Sequence, residues 1–156
     1  WGFIVKKISQ WLIVTVLIVC FGACGKNSSE EKTVYENNSN VGIKSIITYY
    51  HYGDKVIKQT TENVMNYKET GLQDKETAEK AMEAAGSNQY KNVKGIEYSI
   101  KYKEKEAIEE LSVDYDKLDY EAVNKIPGFH VSGDAENGVS LKASEKLLEA
   151  SGYTKK

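Results

Sequence analysis

Cys24 has the most specific chemical setting of any reactive residue in this chain of 156 residues. It follows Gly22 and Ala23 at the end of an apolar run, Trp11 to Phe21, behind the basic pair Lys6 and Lys7. Other groups offer less. His51 stands among Tyr49, Tyr50 and Tyr52, and His130 stands between Phe129 and Val131. Imidazole suits metal binding or proton transfer. Either histidine needs Asp54 or Asp134 brought to it by folding, because no HxxxH or HExxH spacing exists. Asp114, Asp116 and Asp119 are spaced acids, but Asp114 falls on the outer side of a strand pattern and Asp119 at a helix start. No pair is singled out for carboxylate hydrolysis. The stretch from Asp134 to Gly138 lacks the alternating oxygens and distal glutamate of a calcium loop. There is no Gly-x-Ser-x-Gly nucleophile motif and no phosphate-binding glycine loop. The tyrosines are in excess, at eleven. Most are expected to pack a sheet and leave their hydroxyls at its rim. Tyr50, Tyr52, His51 and His130 are the candidates for ligand contact.

The run ending at Phe21 is too short to cross a ~30 Å hydrocarbon core, which takes about 20 helical residues. Its length and basic flank match a secretory signal. With Ala23 and Cys24 it resembles the bacterial lipobox, although Phe21 stands where leucine is usual. The resemblance implies cleavage between Ala23 and Cys24 and a diacylglycerol thioether on Cys24, with no other cofactor expected. Two acyl chains hold stably where one is marginal. The expected location is the outer face of the cell membrane. An ordinary secretory signal or an uncleaved anchor is the alternative.

Three segments follow: a signal over 1–23, a lipidated cysteine and tether over 24–32, and one folded domain over 33–156. The tether GKNSSEEK has a root-mean-square reach of roughly 15 Å. Loss of residues 1–23 removes two lysines and no acid, taking the net charge from −2 to −4. Such a domain has no general attraction for nucleic acid. Every basic residue is lysine, which withholds the bidentate guanidinium clamp. Cys20 leaves with the signal. An acylated Cys24 then leaves the domain without thiol or disulfide, dependent on its core alone.

The periodicities predict an α+β fold: an antiparallel sheet of two hairpins, about five strands, with two to three helices on one face. A short strand spans 33–36. Strands over 41–52 and 55–67 meet at Gly53-Asp54. Simple alternation puts Val56 and Val64 on one side of the second, with Ile57 and Met65 on the other. The hairpin's solvated face is expected to be made in part of Lys58, Gln59, Thr60 and Glu62. Asp74 caps a helix whose apolar stripe is Ala78, Ala81, Met82 and Ala85. Ile96, Tyr98, Ile100 and Tyr102 alternate against Glu97, Ser99 and Lys101, and Ala107, Leu111, Val113 and Tyr115 form the return strand. Asp119 caps a short helix with Leu118 and Val123 as its staple. A short strand is expected at 129–131 and a loop at 133–138. Ser140 caps a last helix, and Tyr153 packs back. Two strand–strand–helix units give a faint internal repeat.

The hairpin from Tyr52 to Thr61, and the stretch from Val113 to Tyr120 with Ile126-Pro127-Gly128, resemble the YehR-like family of small bacterial lipoproteins. The resemblance covers residues 33–156 and includes the lipobox. It implies an α+β fold, attachment outside the cytoplasm and a Gram-positive source of low G+C content. It implies no activity, substrate or cofactor. The expectation is a non-enzymatic binding or interaction module, anchored in the membrane, whose partner is an envelope protein or cell-wall ligand. The alternatives are capture of a small molecule or metal and, behind that, envelope hydrolysis.

Overall fold

Alternation of apolar and polar residues makes most of the chain extended. The computed structural model, which describes residues 29–127 and 138–156, gathers the strands into one sheet. These are β1 (Glu31–Asn37), β2 (Ile43–Tyr52), β3 (Lys55–Asn66), β4 (Ile96–Tyr102), β5 (Glu106–Asp114), β6 (Val139–Ser140) and β7 (Thr154–Lys155). The order is β4-β5-β3-β2-β1-β7, with β6 on β3 alongside Lys55 and Val56. Every pairing is antiparallel.

Among the described residues four helices connect the strands: α1 (Tyr67–Thr70), α2 (Lys75–Ala84), α3 (Tyr120–Val123) and α4 (Leu141–Ala150). Each begins at a residue whose side chain accepts a free backbone N–H. Asn66 accepts from Glu69, Asp74 from Thr77, Asp119 from Ala122 and Ser140 from Ala143. Three of these caps, Asp74, Asp119 and Ser140, stand where the sequence puts them. Asp54, in the β2–β3 turn, adds a tertiary cap. It accepts from Ser140 Oγ and from the Lys142 N–H, both at 2.8 Å.

The helices cover one face of the sheet. Beneath them lie Ile47 and Tyr49 of β2, Met65 of β3, and Ala107, Leu111 and Val113 of β5. The apolar core has two parts. The larger joins Tyr35, Ile47, Val113 and Tyr115 to Val123 and Leu148, and the smaller joins Met65 and Ala107 to Ala78, Ala81 and Met82 of α2. Alanine at the contact positions lets α2 lie close on the sheet.

The architecture agrees with the α+β expectation, but five strands and two hairpins understate a seven-stranded sheet. β6 and β7 have two residues each and carry no periodicity to read. β1 starts at Glu31, two residues before the expected boundary. A 3-10 turn, Ser87–Tyr90, follows α2. The expected strand at 129–131 lies outside the described residues. One correction concerns β3. Tyr50 pairs with Lys58 and His51 with Val56, so Ile57 is an extra residue in the strand. A bulge of one residue reverses inside and outside beyond it. Val56 therefore shares the covered face with Met65; beyond the bulge regular alternation buries Gln59 on the side of Met65 rather than leaving it solvated, and turns Val64 outward.

Candidate functional site

Among the described residues the other face of the sheet carries no helix. Cross-strand register sorts its side chains into rows. One row runs Val34, Thr48, Thr60, Ser112, Glu97. The next runs Glu36, Ile46, Glu62, Glu110, Ser99. Between these rows the twisted sheet forms a trough of about 580 Å³, lined by Thr48, Thr60, Glu62, Glu97, Glu110 and Ser112. Glu62 and Glu110 are direct cross-strand partners, and like charges in that relation oppose folding. Lys101 Nζ relieves Glu110 at 2.8 Å. Its hydrogen bond, with that of Ser99, holds the Glu110 carboxyl below the ordinary range. Among the described residues Glu62 and Glu97 have no ion pair.

At Glu97 and Ser112 the trough adjoins a second hollow, about 570 Å³, where Lys58, Lys94 and Lys117 stand with Asp114. Lys117 donates to Asp114 at 2.6 Å, which lowers the Asp114 carboxyl. The face thus presents acid and hydroxyl groups beside a lysine-bearing end. It can take a polar ligand that carries both signs of charge.

The predicted ligand residues divide. Tyr50 lies on this face, but its ring is held between Lys32 at 4.9 Å and Lys58 at 5.7 Å. Those cations compete with a sugar for stacking on the ring. Tyr52 is on the same side at the hairpin end and is exposed. His51 lies on the covered face and is buried. Its Nδ1–H donates to the Gly53 carbonyl at 2.8 Å, leaving Nε2 to accept from Thr33 Oγ1 at 2.9 Å. Both ring nitrogens are used, and Asp54 is engaged at α4, so these two do not form a site. Asp116 faces Lys55 and Asp119 caps α3. Among the described residues no cluster of His, Cys, Asp or Glu could hold a metal. Ala23, Cys24, His130 and Asp134 lie outside the described residues.

Sequence reading missed Glu109. It alternates onto the covered face of β5 and is only 8% exposed. Tyr98 Oη donates to Oε1 at 2.6 Å and Asn63 Nδ2 donates to Oε2 at 2.7 Å. The chain continues from Ser45 Oγ to Asn63 Oδ1 at 2.6 Å, with Tyr153 Oη 2.8 Å from the serine. This polar seam ties the C-terminal segment to the middle of the sheet. Burial raises the Glu109 carboxyl above its ordinary range, against the two hydrogen bonds that lower it. A raised acid binds its proton more tightly folded than unfolded. Its contribution is complete below the ordinary glutamate value, about 4.3, and is lost as pH rises through the raised folded value. Glu109→Gln is expected to remove that decline. Urea midpoints measured from pH 4 to 8 should show the variant gaining on the parent chain as pH rises. A constant difference across the range would refute it.

The family model for a protein of unknown function, DUF1307, matches residues 31–154. The chain belongs to this family. An uncharacterised lipoprotein of Listeria monocytogenes, Lmo0207, is 43% identical over 95% of this chain and 94% of its own length. The uncharacterised lipoprotein YehR of Escherichia coli is 33% identical, covering 95% of each. The NMR structure of E. coli YehR superposes with a TM-score of 0.67 at 32% identity, over 83% of this chain and 93% of that one. An NMR structure of a protein from Streptococcus pneumoniae TIGR4 gives 0.56 at 12% identity, over 92% and 94%. That second likeness speaks for the fold alone. The resemblance read from the Tyr52 hairpin and the Val113–Tyr120 stretch is therefore correct, and DUF1307 membership brings no assigned activity with it.

Proposed function

We propose that this chain is an extracytoplasmic lipoprotein. Diacylglycerol on Cys24 holds it to the outer face of the membrane, and its helix-free sheet face binds an envelope protein or cell-wall ligand. Two lines support the anchor. The relatives are named lipoproteins, and the alignment with Lmo0207 spans 148 of the 156 residues, well into the segment that holds Cys24. Among the described residues no helix is long and apolar enough to cross a membrane.

The observation that carries the binding role is the trough across β2, β3, β5 and β4. It is a concave polar surface whose Glu62 and Glu97 make no ion pair among the described residues, although Lys117 lies close enough to interact with Glu97. Carboxylates placed side by side cost stability, and a cationic group from outside offsets that cost. The module is non-enzymatic in this reading because the trough offers carboxylates and hydroxyls as contact groups across four strands. A photo-crosslinking residue at Thr60, in intact cells, tests this. It should trap a partner that the same residue at Glu83, on the helix side, does not. Equal yields at the two positions would defeat the binding-face assignment.

A further inference from the structure

The two edges of the sheet differ. β7 is a two-residue edge on one side, too short to template another strand. β4 is a seven-residue edge on the other, with neither proline nor bulge. The Asp114 N–H bonds to the Gly95 carbonyl, and the Lys103 N–H to the Glu106 carbonyl. Odd-numbered residues of β4 therefore face β5, and alternation turns the backbone groups of Tyr98, Ile100 and Tyr102 outward. Among the described residues no strand pairs with them. The side chains of Tyr98, Ile100 and Tyr102 are only partly buried on the core side.

We propose that β4 pairs with β4 of a second copy of this chain, antiparallel about a two-fold axis at Ser99. The strand is complementary to itself in this register. Ser99 meets Ser99 on the axis. Glu97 of each copy stands opposite Lys101 of the other, on the open face, in the close non-hydrogen-bonded positions. Opposite charges directly across a strand pair stabilise it. On the core side Tyr98 meets Ile100, and Ile96 meets Tyr102. The outward groups of Tyr98, Ile100 and Tyr102 then make about six hydrogen bonds across the axis. The Ile96 N–H takes no part because it is bonded to Val93.

A lysine on an edge strand usually blocks pairing. Here the axis places Lys101 between Glu110 of its own chain, 2.8 Å away, and Glu97 of the second copy. Its three donors can serve both. Glu97, without an ion pair among the described residues, gains one. The two troughs become continuous across the axis, because Glu97 and Ser99 line each of them.

One seven-residue strand pair is smaller than a standard stable interface. Association in dilute solution is therefore weak, and confinement to a membrane surface raises the effective concentration. That last step rests on the anchored reading, so the test is made in cells, with the membrane fraction of the same sample scored separately.

Ser99→Cys brings two thiols to the axis at a spacing suited to a disulfide. Mild oxidation should double the apparent mass of most of this variant and leave Glu83→Cys unchanged. Adding Lys101→Glu should suppress the doubled species, and adding Glu97→Lys to both should restore it. The restored variant still lacks the Lys101–Glu110 pair, so recovery reports the contact between copies. Ser99→Cys remaining at single mass in the membrane fraction would overturn the pairing. So would a crosslink to a chain of another mass, or a failure of the double charge exchange to restore.

Discussion

Cys24→Ala is expected to move the protein from the membrane fraction into the medium or the soluble envelope fraction. The effect should be among the largest available from one substitution. A single myristoyl-length chain binds a bilayer with a partition constant of only about 10⁴ M⁻¹, and stable anchoring takes a second chain. Removing the attachment sulfur removes all of it, because the mildly acidic domain has no general attraction for anionic lipid. Incorporation of a fatty-acid analogue should vanish in the same variant. A parent chain that stays in the membrane without taking up the label would show that the apolar segment itself is the anchor, and the lipobox assignment would fall.

Gly95→Ala is expected to cost the domain about 3–5 kcal/mol, placing it among the severe substitutions. Gly95 has a φ of +85°, which strains any residue with a Cβ. The added carbon would also stand 2.5 Å from Leu118 Cα and 2.7 Å from Leu118 N. Those are backbone atoms that cannot rotate away. They are fixed by the bonds from the Asp114 N–H to the Gly95 carbonyl and from the Asp119 N–H to the Lys94 carbonyl. Leu118 in turn packs in the core with Val123. The start of β4, the end of β5 and the cap of α3 thus meet at one point. A midpoint drop of roughly 10–20 °C should follow. Gly53→Ala is the comparison: φ is +56°, but no atom lies within 4 Å, so its cost should be about 1 kcal/mol. Equal losses for the two variants would disprove the clash.

Local signals were legible in the sequence where one residue or one period carries them. Asp74, Asp119 and Ser140 are caps because their side chains compete for free N–H groups. The alternation of Ile96 to Tyr102 reads as a half-buried strand and is one. The bulge at Ile57 has no such mark. Isoleucine suits either face, and the shift appears only once β2 supplies the register. Glu109 was hidden for a related reason: a carboxyl in a strand reads as solvent-facing until Tyr98 and Asn63, 11 and 46 residues away in sequence, close over it. The trough is further from the sequence still. Its walls come from four strands, and neither Thr48 nor Ser112 means anything alone. His51 shows the opposite failure. Its setting among tyrosines suggests a ligand, but both its nitrogens are spent on Gly53 and Thr33.

The placement of β1 has a mechanical consequence. In an anchored protein, any pull from the envelope enters through the segment before Glu31 and runs along this strand. β1 is held on one side by seven register pairs with β2 and on the other by the short β7. Its hydrogen bonds lie across the line of pull. A pull along the strand loads them together in shear rather than one at a time. The C-terminal residues therefore act as a splint on the first strand, and the domain can stay folded while its tether is under tension.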